Sequence, residues 1–246
     1  MWAPMRGRRA SAWNCRPRRI CSWPWAWMPA EGRVTELALV ILDCDGVILE
    51  SVDAKTRAFA QLYRPHGPDI ERLAVEHHLR HGGVSRYEKF RYISRQYLGR
   101  ELPADEEVRL GERFAGLCLE EVLASPLVPG ALAFIQAARQ RVPVYVASGA
   151  PHEELAHILQ TRGLAGLFTG IFGSPPGKAE LVRRILAQEG VLPRAAVLIG
   201  DSGTDEAAAV ETGVRFWGRG EFPGRECSPD LTGAMVLLDR MCGVAQ

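Results

Sequence analysis

The 246-residue sequence lacks long apolar runs and lacks paired cysteines. No run approaches the roughly 20 apolar residues that a membrane-spanning helix needs, so we expect no membrane segment. The six cysteines show neither a CxxC pair nor the spacing of metal ligands, and they lie at positions 15, 21, 44, 118, 227 and 242. This pattern predicts reduced thiols, as in a cytoplasmic protein, and excludes a cysteine-bound metal site.

Basic charge is scarce once the N-terminus is set aside. Residues 1–33 contain seven arginines and a single acid, Glu31, and the rest of the chain then holds 23 basic and 28 acidic side chains. A net charge of −5 does not provide the basic surface on which nucleic-acid binding depends, so we expect no nucleic-acid partner. Lysine is the scarcest charged residue, because only Lys55, Lys89 and Lys178 occur beside 27 arginines.

Residues 1–33 differ in composition from everything that follows. They hold five of the six tryptophans and show neither helical nor strand periodicity. Three interpretations remain open: a disordered basic tail, a start site assigned too far upstream, with Met28 or Val34 as the true start, or a secretory signal. Pro24 interrupts the one apolar stretch of this segment, which weakens the third interpretation.

From residue 37 onward the pattern is that of an α/β protein. Residues 37–42 form a continuous apolar run, as expected of a strand buried on both faces, whereas residues 53–125 have helical periodicity throughout. Beyond this block, helices alternate with strands. We predict helices over 130–140, 152–161, 178–189 and 204–212, and strands over 142–147, 168–172, 195–199 and 214–217. Such alternation indicates a parallel sheet covered by helices.

The order of these elements divides the chain into parts. We predict an α/β core formed by residues 34–49 and 129–246, into which residues 50–128 are inserted as a helical unit. Short polar or glycine-containing segments follow the predicted core strands: Asp43 and Asp45, Ser148 and Gly149, and the segment 200–205. Since functional groups of parallel sheets collect beyond the carboxyl ends of the strands, these residues are expected at one edge. Lys178, at the start of a predicted helix, would join them.

Four of these features make the sequence resemble the haloacid dehalogenase superfamily of phosphohydrolases. They are DCDGV at 43–47, Ser148 after a strand, Lys178, and GDSGTD at 200–205, and the resemblance covers residues 37–217. It implies a Rossmann-like parallel sheet core, and the helical insertion resembles the cap of that family. The nearest pattern is the phosphoglycolate phosphatase-like branch.

The resemblance also implies roles for the residues. Asp43 would be the nucleophile that forms an aspartyl-phosphate, and Asp45 the general acid and base. Ser148, the Gly149 amide and Lys178 would bind the phosphoryl oxygens.

A divalent cation is required on physical grounds as well. Four carboxylates crowded around a phosphate repel it, and Mg²⁺ prefers oxygen ligands of this kind. By the resemblance, Asp43, the backbone carbonyl of Asp45, and Asp201 would bind Mg²⁺ directly, and Asp205 would hold a water molecule on it.

Comparison with other branches of the superfamily distinguishes between the reactions that the chain could catalyse. Its dehalogenases lack an acid at the position of Asp45, because halide needs no proton, so Asp45 favours phosphate chemistry. The β-phosphoglucomutase branch has Glu where this chain has Gly200, which favours a phosphatase over a sugar phosphomutase. A catalytically inactive protein of the same fold is the remaining alternative, and the intact acidic residues argue against it.

Substrate choice is expected to reside in the cap. Gly82 and Gly83 would break a helix and let Ser85, Arg86 and Lys89 face the core. The two cations could bind a carboxylate or a second anionic group, although a solvated cap surface explains the same residues. The predicted substrate is a small phosphorylated metabolite, either phosphoglycolate-like or a sugar phosphate. The predicted enzyme is a monomer or homodimer.

Overall fold

The computed structural model describes residues 36–240, so the three interpretations of residues 1–33 concern a segment outside the described residues. The described chain lies within one compact unit, Thr35–Gln246. Its six strands are β1 Leu39–Leu42, β2 Val144–Pro151, β3 Gly170–Ser174, β4 Ala196–Gly200, β5 Arg215–Arg219 and β6 Glu226–Ser228.

Two groups of helices accompany the strands. The insertion contains α1 Val52–Tyr63, α2 Pro68–Arg80, α3 Arg86–Gln96 and α4 Ala104–Ala124. The core contains α5 Ala131–Ala138, α6 His152–Thr161, α7 Lys178–Glu189, α8 Gly203–Thr212 and α9 Val236–Arg240. The predicted alternation of helix and strand is confirmed, and so is the purely helical insertion.

The strands form one parallel sheet in the order β3-β2-β1-β4-β5-β6. β1 lies between β2 and β4, so the connections leave it in opposite directions and open a crevice at its carboxyl end. β6 and α9 were not predicted. β6 is three residues long, and the exposed Glu226 and Cys227 give it no apolar pattern; its backbone pairing with β5 defines it.

Side chains of β1 alternate between the two faces of the sheet. Val40 and Leu42 belong to the apolar cluster beneath α5, α6 and the insertion, whereas Leu39 and Ile41 belong to the cluster beneath α7 and α8. All four are fully buried, which explains why this strand is apolar at every position. The sheet therefore holds the start of the next loop rigidly.

The insertion packs through an aromatic cluster of its own. Phe59 of α1 has its ring centroid 5.8 Å from that of Phe90 of α3 and 4.9 Å from that of Phe114 of α4. All three rings are at most 1% exposed, and they are continuous with the apolar cluster on one face of the sheet. The insertion is thus a helical cap that shares its packing with the core, although the exact boundaries at residues 50 and 128 remain a prediction.

Among the described residues, no helix is both long and apolar enough to cross a membrane. The three cysteines in this part of the chain, Cys44, Cys118 and Cys227, are all free thiols. Cys44 is buried among apolar side chains, as its position between Asp43 and Asp45 predicts for an alternating strand end.

Candidate active site

The acidic residues and Lys178 converge at the carboxyl edge of the sheet. Asp43 follows β1 directly, Asp201 follows β4, and Lys178 is the first residue of α7. One expectation needs correction. Ser148 and Gly149 lie within β2, not after it, because the strand continues to Pro151 through an irregularity in its pairing with β3.

Asp43 is held by two donors. Its Oδ1 accepts the Cys44 backbone N–H at 2.7 Å, and its Oδ2 lies 2.8 Å from the Lys178 ammonium nitrogen. Lys178 also pairs with Asp205, whose other oxygen accepts from the backbone N–H and hydroxyl of Ser202. The side chains of Asp43, Lys178 and Asp205 are at most 3% exposed, so this chain of charges is shielded from water.

Asp201 completes a cluster that could hold a metal ion. One carboxylate oxygen each from Asp43, Asp201 and Asp205 lie within 4.8 Å of one another. The Asp201 carboxylate abuts Gly46, where a Cβ atom would lie 2.0 Å from Oδ2 and where φ is +74°. Glycine is therefore required at position 46 both by the backbone conformation and by the close approach of Asp201.

Burial and mutual repulsion perturb the carboxylates of this cluster. Burial raises the pKa of Asp201 to about 8, with Asp43 and Asp205 adding to the effect. Burial likewise raises the pKa of Asp43 to about 6, although Lys178 opposes the rise. Burial alone would lower the pKa of Lys178, but Asp205 and Asp43 together raise it above its ordinary value. The three carboxylates of the cluster are thus balanced by only one ammonium group, that of Lys178.

Asp45 points to different partners. Its Oδ1 accepts the Ser51 hydroxyl at 2.6 Å, and its Oδ2 pairs with the ammonium of Lys55, which lies on α1 of the cap. Burial would raise the pKa of Asp45, but Lys55 and Ser51 lower it below its ordinary range. Sequence reasoning missed Lys55 as a site residue, although the rarity of lysine pointed to it as strongly as to Lys178.

The cap covers the site through its glycine loop. The predicted helix break at Gly82 and Gly83 is present, since α2 ends at Arg80 and α3 begins at Arg86. A Cβ atom on Gly149 would lie 1.9 Å from the carbonyl oxygen of Gly83, and one on Gly83 would lie 3.4 Å from the Lys178 nitrogen. The loop therefore rests directly on the segment of β2 that contains Gly149.

A cavity of about 350 Å³ lies between cap and core. Its core side includes the predicted residues Asp43, Asp45, Ser148, Gly149 and Asp201, and its cap side includes Lys55, Phe59, His78, Arg86, Lys89 and Phe114. Ser85 is buried but does not line the cavity. A cavity of this size is typical of a site for a small molecule.

The cap cations differ in their surroundings. Arg86 pairs with Glu154 of α6 in the core, and its guanidinium carbon lies 4.6 Å from the centroid of the Phe114 ring. Lys89 contacts His78 of α2, whose Nδ1 lies 3.1 Å from the lysine nitrogen. Glu154 is a second residue that the sequence did not indicate. It lies in the first turn of α6, and its partner Arg86 lies 68 residues away on the cap.

Comparison with known proteins identifies the family. The model of the haloacid dehalogenase-like hydrolases matches residues 37–213, which is most of the chain. The protein therefore belongs to the haloacid dehalogenase-like hydrolase family, as the motifs around Asp43, Lys178 and Asp201 predicted. A search of curated proteins finds no match.

Solved structures share this fold at low sequence identity. A predicted phosphoglycolate phosphatase from Haemophilus somnus is 21% identical, with a TM-score of 0.59 over 76% of this chain and 86% of that one. A putative β-phosphoglucomutase from Bacteroides vulgatus is 17% identical, with a TM-score of 0.67 over 85% and 91%. The putative hydrolase YfnB from Bacillus subtilis, bound to magnesium, is 18% identical, with a TM-score of 0.62 over 83% and 99%.

Proposed function

We propose that this hydrolase is a Mg²⁺-dependent phosphatase that acts on a small phosphorylated metabolite through an aspartyl-phosphate on Asp43. The observation that carries the proposal is the buried contact between the Asp43 carboxylate and the Lys178 ammonium, 2.8 Å apart, with Asp201 in the same cluster. This arrangement provides a nucleophile, a cation for the phosphoryl oxygens, and ligands for a metal ion at one point.

The residues present fit a hard divalent cation. Around the proposed site four carboxylates face two ammonium groups, those of Lys55 and Lys178, which leaves two formal negative charges. The Asp201 carboxylate accepts no hydrogen bond from the described residues, and its pKa is raised by burial and by the nearby Asp43 and Asp205. Oxygen ligands in this arrangement suit Mg²⁺, and the related YfnB structure contains magnesium.

We propose that Asp43, Asp201 and the backbone carbonyl of Asp45 would bind Mg²⁺, with Asp205 acting through a water molecule. When bound, the cation would neutralise charge on the phosphoryl oxygens. Asp205 already accepts hydrogen bonds on both oxygens, from Lys178 and Ser202, which supports an indirect role.

The chemistry of the chain itself proceeds in two steps. An Asp43 oxygen attacks phosphorus, the ester bond to the substrate breaks, and Asp45, which must first exchange its ion pair with Lys55 for a proton, gives that proton to the leaving oxygen. Asp45 then takes a proton from water, which attacks phosphorus and releases phosphate and free Asp43. Lys178, the Ser148 hydroxyl and the Gly149 amide bind the phosphoryl oxygens in both steps. Ser148 is only 1% exposed, so its hydroxyl acts away from solvent.

A sugar phosphomutase is the second candidate, since one solved relative is a putative β-phosphoglucomutase. Gly200 disfavours it. A Cβ atom at this position would lie 2.2 Å from the Cβ of Asp205, so the glutamate of the mutase branch does not fit here without displacing Asp205. A catalytically inactive protein is a weaker candidate, because Asp43, Lys178 and Asp201 are all in place.

We propose that the substrate is recognised at the start of α3, where the sequence placed Ser85, Arg86 and Lys89. Arg86 and Lys89 line the cavity, and Ser85 precedes them at the start of α3. The size of the cavity favours a two- or three-carbon phosphate or a sugar phosphate, and the predicted phosphoglycolate phosphatase among the structural relatives supports the first. We propose that the enzyme acts in the cytoplasm as a monomer or homodimer, without nucleic-acid or membrane partners.

Phosphate release from a panel of phosphorylated metabolites, with Mg²⁺ or with EDTA, tests this function. We expect release by the wild-type protein with Mg²⁺, none with EDTA, and none by Asp43→Asn with its circular dichroism spectrum unchanged. Full activity of Asp43→Asn would mean that the nucleophile is a different group. An isomerised hexose phosphate without free phosphate would favour the mutase.

A further inference from the structure

Four cations line the cap side of the cavity, and three of them already have an acidic partner. Arg80 pairs with Glu76 at the surface of α2. Lys55 pairs with Asp45, and Arg86 pairs with Glu154. No carboxylate among the described residues lies within ion-pair distance of Lys89, although only 3% of this residue is exposed. Lys89 is therefore a buried cation without a counter-charge.

The contacts of Lys89 fix its ammonium group but do not neutralise it. The nitrogen lies 3.1 Å from Nδ1 and 3.4 Å from the carbonyl oxygen of His78, and 5.7 Å from the centroid of the Phe59 ring. An ammonium group has three N–H donors, so two contacts to His78 leave one donor for the cavity. Burial lowers the pKa of His78 to about 3, so its ring is neutral and accepts from Lys89.

Arg86 is placed for a different task. Its guanidinium joins α3 of the cap to Glu154 of α6 in the core, and the two side chains are 5% and 15% exposed. If a ligand anion bound the Arg86 guanidinium in place of Glu154, the largely buried Glu154 carboxylate would lose its cation. Leaving a buried charge unpaired is unfavourable. A ligand anion that approached Lys89 would instead supply the charge that is missing there.

We propose that Lys89 determines specificity by binding a second anionic group of the substrate, a carboxylate or a second phosphate, while Arg86 fastens the cap to the core through Glu154. The inference rests on the proposed phosphatase function, and it assigns the two cap cations to separate tasks. The substrate would place its reacting phosphate at Asp43 and its second anion at Lys89, within a cavity of about 350 Å³.

Matched substrates with and without the second anion test this assignment. 2-Phosphoglycolate is compared with ethyl phosphate for the carboxylate, and ribulose 1,5-bisphosphate with ribulose 5-phosphate for the second phosphate. We expect wild-type kcat/KM to favour the doubly anionic member of at least one pair. A preference in the first pair would identify the anion as a carboxylate, and a preference in the second pair would identify it as a phosphate. A preference in neither pair would overturn the inference.

Variants then locate the preference. Lys89→Met should lower kcat/KM for the doubly anionic substrate by about 10- to 100-fold through KM, the usual loss of a charge-assisted hydrogen bond, and leave that for the singly anionic substrate unchanged. Lys89→Arg should restore part of the preference. Arg91→Met is the control, because Arg91 lies on the same helix, is half exposed and pairs with Glu107 outside the cavity.

The outcomes separate the inference from the proposed function. An equal loss for both substrates, or no loss at all, would overturn the role of Lys89, and so would failure of Lys89→Met to fold. Glu154→Gln should lower kcat/KM for both substrates alike; a loss confined to the doubly anionic one would assign its anion to Arg86 and overturn the division of tasks. If none of the four substrates releases phosphate with any variant that retains Asp43, the phosphatase function itself fails.

Discussion

The charge on Lys89 should reduce the stability of the fold, and Lys89→Met should therefore stabilise the protein. Burial, with Lys55 adding to it, lowers the pKa of Lys89 from its ordinary value of 10.5 to about 7. Each unit corresponds to about 1.4 kcal/mol, so the ammonium destabilises the folded state by roughly 4 kcal/mol at neutral pH. Methionine has a similar length and needs no counter-charge.

Two favourable contacts are lost in the variant and reduce the gain. They are the hydrogen bond to His78 and the position of the ammonium 5.7 Å from the Phe59 ring centroid, each contributing about 1 kcal/mol. A net stabilisation of about 2 kcal/mol remains, which corresponds to a rise of about 5 °C in Tm for a protein of this size.

The destabilisation by the Lys89 ammonium group should depend on pH. The pKa of Lys89 is lower in the folded state than in the unfolded state, so the destabilisation is fully present below pH 7. It disappears as the pH rises from 7 towards 10.5, because the unfolded chain then retains a proton that the folded chain has released. The advantage of Lys89→Met over wild type should therefore be largest at pH 6 and small at pH 10.

Urea denaturation followed by circular dichroism at pH 6, 7.5 and 9 measures this difference. Effects of groups distant from Lys89 are common to both proteins and cancel when the two free energies of unfolding are subtracted. A variant that is less stable than wild type at pH 6, or a difference that does not change with pH, would refute the account of Lys89 as an uncompensated cation.

Three further outcomes are expected. EDTA should abolish phosphate release and added Mg²⁺ should restore it, as assayed with a colorimetric phosphate test. Lys55→Met should lower kcat by about 10- to 100-fold, since Asp45 loses the contact that positions its carboxylate, whereas Arg57→Met on the exposed side of α1 should not. Gly149→Ala should lower kcat/KM at least about tenfold without lowering Tm, because its Cβ would collide with the Gly83 carbonyl and hold the cap away from the core.

The convergence of Asp43, Lys178 and Asp201 could be predicted because parallel strands bring their carboxyl ends to one edge. That rule needs only the order of strands and helices, which apolar periodicity reveals. The exact end of β2 could not be predicted, because Ser148 and Gly149 are compatible with either a strand or a loop. Their pairing with β3 decides between the two.

The cap contacts were harder to predict for a physical reason. Lys55 meets Asp45 only ten residues away, but the contact depends on how α1 packs against the loop after β1. Arg86 and Glu154 meet across the interface between cap and core, which no local periodicity describes. Composition carried the missing signal: all three lysines of the chain lie at the site, whereas arginine forms most of the exposed ion pairs. The lysine ammonium group is more compact than the arginine guanidinium, so the two residues are not interchangeable at a buried site.

The central claim is that the substrate phosphate passes through Asp43. Enzyme mixed with Mg²⁺ and substrate, quenched with acid within one turnover and digested, can be analysed by mass spectrometry. The account predicts the mass of one phosphoryl group on the peptide that carries Asp43, and none on that peptide from Asp43→Asn. Rapid phosphate release with no phosphorylated peptide, or with the phosphoryl group on a different residue, would contradict it.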